Sequence, residues 1–366
     1  MYYRFYLKNF KGGLHLSRGI PNRYDRSEKD LSSDRIQSAL FAAALQLFDE
    51  LADPARGLAF MNSFRLSSAF PFWEDKKEGT KIRLYPKPAS FPYELPFKLD
   101  KLKESSGLTE KELKKISFLE EGCFFALLKG EKLNDLALTA DYKLLYSKSK
   151  CTLAVRKKLE ELKAENKGLK IKKTDIVDHV YLEQGAQATP YSMDKIFFEE
   201  EGGLFFILQT ENEDSLKKVK AAFRLLADQG IGTDRSTGHG HFEAEVEAQR
   251  MNIEKAGANS QHYISLGTYS PSKEDLNQID LKDSYYQLNK LRGYISTVTD
   301  CEAESNAVGF RKAGLYVFGL AACLRTEVEP QGQVHNLNPK ETKVFHPVWR
   351  ATNPIMLPIS LSKTEA

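Results

Sequence analysis

The stretch Gly230-Ile-Gly-Thr-Asp-Arg-Ser-Thr-Gly-His-Gly-His-Phe242 constrains this chain most, because four glycines fall within eleven residues around a basic, hydroxyl-rich centre. Glycine lets a backbone reach positive φ and lie against another group without a Cβ in between. Successive N–H groups in such a loop form a concavity suited to phosphate oxygens, which Arg235, Ser236, Thr237 and His239 would supplement. Gly230, Gly232, Gly238 and Gly240 fit neither the Walker spacing nor the dinucleotide-binding fingerprint. The order of elements is also reversed. Ser215 to Ala227 reads as a helix with Leu216, Val219, Phe223 and Leu226 on one face, and Phe242 to Glu247 alternates like a strand. Helix, glycine loop, strand is the wrong polarity for a mononucleotide pocket. Two readings stay open from composition, a phosphate-contacting loop and a loop whose glycines only relieve strain.

At 366 residues the chain has room for two domains with cores of their own. The formal charge is only +3, so the molecule is not a polycation, yet residues 1–35 carry eight Lys/Arg against four Asp/Glu. That excess attracts phosphates or is simply a solvated surface. Cys123, Cys151, Cys301 and Cys323 are too scattered for a zinc site, and neither a cofactor motif nor a metal-ligand spacing stands out. Without a secretory or membrane-spanning apolar run, the expectation is a cytoplasmic protein with free thiols.

Taken in order, Tyr2 to Phe10 reads as a strand stopped by Gly12-Gly13, followed by Leu14-His15-Leu16 and a loop with Arg18, Arg23 and Arg26. A helix starts at Ser32 or Ser33, with Asp34 at its positive end and Ile36, Leu40, Ala43, Leu47 and Leu51 on its apolar side. Strand, basic loop and helix start can together hold an anion, with His15, Arg18, Ser33 and Arg35 as candidate contacts. Asn62 to Phe72 reads as one strand, Leu84 to Pro88 as too proline-rich for a sheet interior, and about 97–173 as a lysine-rich, largely helical insertion. Strands are expected at Asp175 to Leu182, Phe197-Phe198 and Leu204 to Leu208. Between the first two, Glu183 to Ser192 reads as a long loop, either a floppy hairpin tip or a contacting finger. Beyond residue 250 strands dominate: Tyr263 to Tyr269, Gly293 to Val298 and Gly314 to Leu320. The expected fold class is α+β, with an N-terminal domain over 1–247 and a second over 248–366. In the first, an antiparallel sheet with helices on one side fits the ferredoxin-like, RRM-like arrangement, a known RNA platform.

These features together resemble the RAMP superfamily of CRISPR proteins. Ser33-Asp34-Arg35-Ile-Gln-Ser-Ala-Leu-Phe41, Phe64 to Pro71, Leu84 to Pro88 and His346-Pro-Val-Trp-Arg350 narrow the resemblance to the Csm subunit of type III-A effector complexes that holds the crRNA 5′ tag. The resemblance implies two ferredoxin-like domains, an inserted thumb hairpin, and crRNA, the large palm-domain subunit and the backbone RAMP subunit as partners. It implies no catalysis by this subunit. The glycine loop falls on Gly230 to Gly240, and the thumb within Glu183 to Ser192, with Gln184, Gln187 and Tyr191 as its contacts.

The rival reading within the superfamily is a crRNA-processing endoribonuclease, in which His15 with Tyr24, Arg18 or Arg23 would supply acid, base and cation. Such endonucleases carry the glycine loop near the C-terminus, whereas about 125 residues follow it here. A third reading is a structural interaction subunit without direct RNA contact. The His239-x-His241 pair has metal-ligand geometry on a strand but no companion ligands, which favours phosphate hydrogen bonding or exposure.

Overall fold

In the computed structural model the described residues are 1–18, 24–91, 99, 109–141, 143–181, 188–247, 251, 253, 260–295, 311–339 and 346–361. The strands, in chain order, are β1 (Tyr2–Lys11), β2 (Arg65–Leu66), β3 (Phe70–Glu74), β4 (Lys81–Pro86), β5 (Phe118–Glu120), β6 (Leu136–Leu138) and β7 (Leu144–Ser147). They continue as β8 (Lys172–Tyr181), β9 (Thr189–Phe198), β10 (Gly202–Gln209), β11 (His241–Val246), β12 (His262–Ser265) and β13 (Asp280–Tyr285). The last are β14 (Leu288–Leu291), β15 (Leu315–Phe318), β16 (Cys323–Arg325), β17 (Val334–Asn336), β18 (Trp349–Ala351) and β19 (Met356–Ile359).

Nine strands form one mixed sheet in the order β11-β1-β10-β3-β4-β5-β7-β6, with β2 also on β10. All its pairs are antiparallel except β5 with β7. The period-two side-chain alternation of β1 builds its two faces. Tyr3, Phe5 and Leu7 point into a core closed by the helices Ser33–Leu47 and Glu213–Gln229, which supply Ile36, Leu40, Val219, Phe223 and Leu226. Phe5 is fully buried, stacked on Phe206 with ring centroids 5.0 Å apart and edge-on to Phe223 at 5.2 Å. Burying a side chain of this size contributes about 1.5–3 kcal/mol, and the aromatic pairings add to it. The opposite face carries Arg4, Tyr6 and Lys8.

A second sheet, β13-β16-β12-β19, is made from the C-terminal third of the chain. Its Ile264, Cys323, Leu357 and Ile359 share one apolar core with Tyr6, Phe72, Phe205 and Phe124 of the first half. Backbone bonds cross the same joint, from Ser68 N–H to Leu266 O at 2.7 Å and from Ile355 N–H to Leu66 O at 3.1 Å. The hairpins β8-β9, β14-β15 and β17-β18 stand as separate two-stranded ribbons.

Several local expectations are corrected. Lys81–Pro86 is an inner strand, between β3 and β5: Pro86 is its last residue, where the missing N–H interrupts little of the ladder. The region about 97–173 is not largely helical where it is described. Short apolar runs there form β5, β6 and β7, which extend the sheet, beside the helices Glu121–Leu128 and Leu153–Ala164. Asn62 ends a helix, Pro54–Asn62, that the alternating reading missed, and the single strand expected over Asn62 to Phe72 is broken at Ser67-Ser68. Both serines are buried: Ser67 Oγ accepts from Ile207 N–H, and Ser68 turns away to the second sheet. Leu47 is exposed at the end of its helix, while Leu51 is buried from a separate 3₁₀ turn. Tyr263 to Tyr269 is strand only as far as Ser265.

Candidate nucleic-acid interface

The helix Glu213–Gln229 ends because Gly230, at φ 79°, turns the chain out of the helical path. The loop then folds back on the end of β1. Ile231 N–H donates to Gly240 O, Gly240 N–H to Lys11 O and Gly13 O, and Thr233 N–H to His15 O. The four glycines do different jobs. A Cβ on Gly240 would lie 2.0 Å from Ile231 O and one on Gly232 2.6 Å from His15 O, so both are required by packing. A Cβ on Gly238 would meet nothing within 4 Å. Residues Arg235 to Gly238 form an exposed tip, and there the N–H groups of Thr237, Gly238 and His239 turn inward to Asp234 O and Arg235 O. The continuous concavity of free N–H groups expected from composition is therefore partly filled by the loop's own carbonyls.

Under the tip the structure gathers residues from three separate parts of the chain. His239 Nδ1–H donates to Gly12 O, which leaves Nε2 to accept from Lys195 Nζ at 3.1 Å. Lys195 is almost fully buried, and desolvation pushes its ammonium below the ordinary lysine range against the pull of Asp234. His241 instead donates from Nε2 to Arg235 O at 3.2 Å, so the two histidines of the pair face different partners. His15 is buried, and its Nδ1–H donates to Asp194 O at 2.7 Å. Arg18 is exposed beyond it.

An aromatic row runs alongside. Tyr24 lies 6.3 Å from His15 and 5.6 Å from Tyr191, and Tyr191 stacks on His179 at 5.3 Å. Tyr191 was expected in a loop; it belongs to β9, directly opposite His179 in the hairpin register. Pro190 and Ser192 are strand residues too. Gln184 and Gln187 lie outside the described residues. On the outward side of the hairpin Ile176 and Val180 are exposed. Sequence reasoning missed His179, Asp194, Lys195 and Thr233. Only the β8-β9 register would have brought His179 and Lys195 to this side.

Ser33 and Asp34 have another task. Ser33 is buried, its N–H donating to Ser68 Oγ and its Oγ accepting from Thr268 N–H at 3.0 Å. Thr268 Oγ1 donates to Asp34 Oδ1 at 2.9 Å, and Arg350 pairs with Asp34 Oδ2. Burial alone would raise the Asp34 carboxyl; Arg350, Ser32, Arg35 and Thr268 outweigh it and hold it below the ordinary range. The Ser-Asp helix start and the His-Pro-Val-Trp-Arg segment thus meet as one tie between the two halves, and Ser33 does not face solvent. Arg35 and Lys312 flank the same carboxylate. Burial and the nearby Arg350 lower both, Lys312 to about 8.

The outer face of the sheet, expected as an RNA platform, is electrically closed. Arg4 bridges Glu121 and Glu247 (2.8 Å), and Arg83 bridges the same two carboxylates at 2.9 and 3.0 Å. Lys8 and Lys81 both pair with Glu74 and Glu245. Lys81 Nζ also lies 4.4 Å from the centre of the Tyr6 ring, whose phenol burial raises to about 12.

Among the described residues no group of three or more His, Cys, Asp or Glu side chains is placed to hold a metal ion, and no helix is long and apolar enough to cross a membrane. Comparison with known proteins converges on one family. Residues 258–359 match the CRISPR Csm4 C-terminal domain. The CRISPR system protein Csm4 of Methanocaldococcus jannaschii is 25% identical over 370 residues, covering 92% of each chain. A chain of the crystal structure of a Csm3–Csm4 subcomplex from a type III-A CRISPR-Cas interference complex superposes with a TM-score of 0.64 at 19% identity, over 98% of this chain and 99% of that one. One from a Csm1–Csm4 cassette in complex with pppApA does so at 0.54 and 17%, over the full length of both. The fold is therefore that of these chains, residues 258–359 match the Csm4 C-terminal domain, and the whole chain resembles the Csm4 subunit of type III-A CRISPR complexes.

Proposed function

We propose that this chain is a non-catalytic, crRNA-binding subunit of a type III-A Csm complex, which holds the 5′ tag of the guide beside its glycine loop. The observation that carries this reading is the convergence at one place of the exposed Arg235–Gly238 tip, Tyr24 and the β8-β9 hairpin. An exposed arginine with hydroxyls suits backbone phosphate, and aromatic faces suit unstacked bases. The hairpin is the thumb, longer than expected, with its paired strands beginning at Lys172. Strand order β11-β1-β10-β3, with helices in the β1-to-β2 and β10-to-β11 connections, supports a ferredoxin-like N-terminal domain. The second sheet serves as the C-terminal domain. Relatives solved as Csm1–Csm4 and Csm3–Csm4 assemblies support docking on the large palm-domain subunit and on the backbone RAMP subunit. His15 is buried with its Nδ1 committed to a backbone carbonyl, which supports a packing or recognition role over acid–base cleavage.

Affinity purification of the chain from a host carrying its CRISPR locus, followed by sequencing of the bound RNA, tests the reading. Guide RNAs sharing one fixed 5′ tag are expected. Recovery of the Csm proteins without guide RNA would leave only a structural subunit.

A further inference from the structure

The C-terminal half carries a cleft that the RNA-binding reading leaves unused. It lies where β12 and β13 begin and β16 ends, and its volume is about 350 Å³, at the lower end of the range for ligand sites. Its walls are fixed by the backbone. Thr326 N–H donates to Gln261 O at 2.9 Å, Thr326 Oγ1 donates to Val328 O at 3.1 Å, and Asp280 stands opposite Arg325 in the strand register. Thr326 is buried, while Gln261, Gln278, Asp280, Glu327 and Val328 line the cleft from exposed positions.

The lining holds more acceptors than the chain itself answers. Arg325 pairs with Asp283. Asp280 accepts a backbone bond from Lys282 N–H at 3.0 Å, but neither Asp280 nor Glu327 has a cationic partner among the described residues. The side-chain amides of Gln261 and Gln278 likewise meet no protein group among the described residues. Two unanswered carboxylates repel phosphate, so the cleft does not suit a nucleic acid. Leu276, Leu281 and Val328, in the same segments, are exposed. Apolar surface beside polar groups that await partners is the composition of a protein docking site.

We propose that this cleft receives an arginine side chain of a partner protein, and that apolar residues flanking that arginine cover Leu276, Leu281 and Val328. A guanidinium carries five N–H donors in a planar fork, which matches two carboxylates and two amide oxygens; a lysine ammonium is a point charge with three. Arginine is also among the residues that dominate binding at protein interfaces. The proposal rests on the reading of the chain as a Csm subunit. It adds a protein docking point built from residues outside the glycine loop and the β8-β9 hairpin.

Biolayer interferometry of the full-length chain against the purified large palm-domain subunit, the purified backbone RAMP subunit and guide RNA tests it. Glu327→Gln keeps the shape and removes the charge. Its affinity for one of the two proteins should fall roughly tenfold, mainly through faster dissociation, and Glu327→Lys should lower it further. The other protein and the RNA should bind as they do to the parent. Glu327 is exposed, so both variants keep the fold, and equal melting temperatures check this. Unchanged affinity for both proteins, as with a surface hollow that only holds water, overturns the proposal. So does a loss shared equally by all three ligands. A loss confined to the association rate and abolished by high salt overturns it too, because it assigns Glu327 to long-range steering. A parent protein that binds neither subunit would instead overturn the reading as a Csm subunit, and the docking point with it.

Discussion

Two basic regions flank β1, and they differ in what answers their charge. On the outer sheet face Arg4, Lys8, Lys81 and Arg83 meet Glu74, Glu121, Glu245 and Glu247, four cations against four carboxylates in a partly buried lattice. At the glycine loop the Arg235 side chain has no carboxylate partner among the described residues, Lys195 leans on a histidine, and polar atoms of His15, Thr233 and Asp194 stay unmatched. Lysine and arginine counts alone make these regions look alike. Pairing separates them: a face that neutralises itself holds the protein together, and a face left incomplete is available to a ligand.

If so, removing a charge from a matched set should cost stability, and removing one from the loop should not. The largest effect is expected where matching is most buried, at the tie between the halves. Asp34→Ala leaves Arg350 without its carboxylate and should lower unfolding free energy by about 3–5 kcal/mol in urea titrations. A loss below about 1 kcal/mol would show that the tie is not structural.

The neighbours Glu120 and Glu121 show the same contrast between a matched and an unmatched carboxylate. Glu121 lies between two arginines, whereas Glu120 is buried, caps the helix Glu121–Leu128 and accepts from Cys151 Sγ. Burial, chiefly, raises the Glu120 carboxyl from 4.5 to about 7. The folded state therefore binds more protons than the unfolded state between these values. Stability from this group is intact below about pH 4.5, falls as pH rises through the window, and is lowest above 7, by about 3 kcal/mol at most. Melting curves of Glu120→Gln should lack this slope; an unchanged slope would assign it to other groups. Glu121→Ala should cost about 1–2 kcal/mol, because Arg4 and Arg83 each keep Glu247. The smallest effect on folding is expected at the tip, where Arg235→Ala should change stability by less than about 0.5 kcal/mol. Its RNA affinity should instead fall, with a salt slope reduced by roughly 0.7 per lost single-strand phosphate contact.

Gly238 and Gly240 are not equivalent as probes of binding. Gly240 is packed against Ile231 O, so any side chain there acts on the fold; Gly238, at φ 85°, has open space and strain only. Periodicity made the two long helices and β1 legible, since their apolar spacing reports the single face each one buries. It could not reveal β5, β6 and β7, whose three or four residues are too short to show alternation, nor Pro86 inside the sheet. The candidate site was legible in its loop and in His15, and illegible in Lys195, His179 and Asp194, which reach it only through the pairing register of a long hairpin. Asp34 and Arg350 were visible as motifs, but their pairing was not, because they lie 316 positions apart in the chain.

RNA is expected on the incomplete face and not on the matched one. Photo-crosslinking of the assembled complex, carrying 4-thiouridine in the guide tag, followed by mass spectrometry of the crosslinked peptides, tests it most directly. Adducts are expected on Tyr24, Tyr191 and the Arg235–His239 segment, with none on Lys8 or Lys81. Adducts concentrated on Lys8 or Lys81, with Tyr24 and the glycine loop unlabelled, would overturn this.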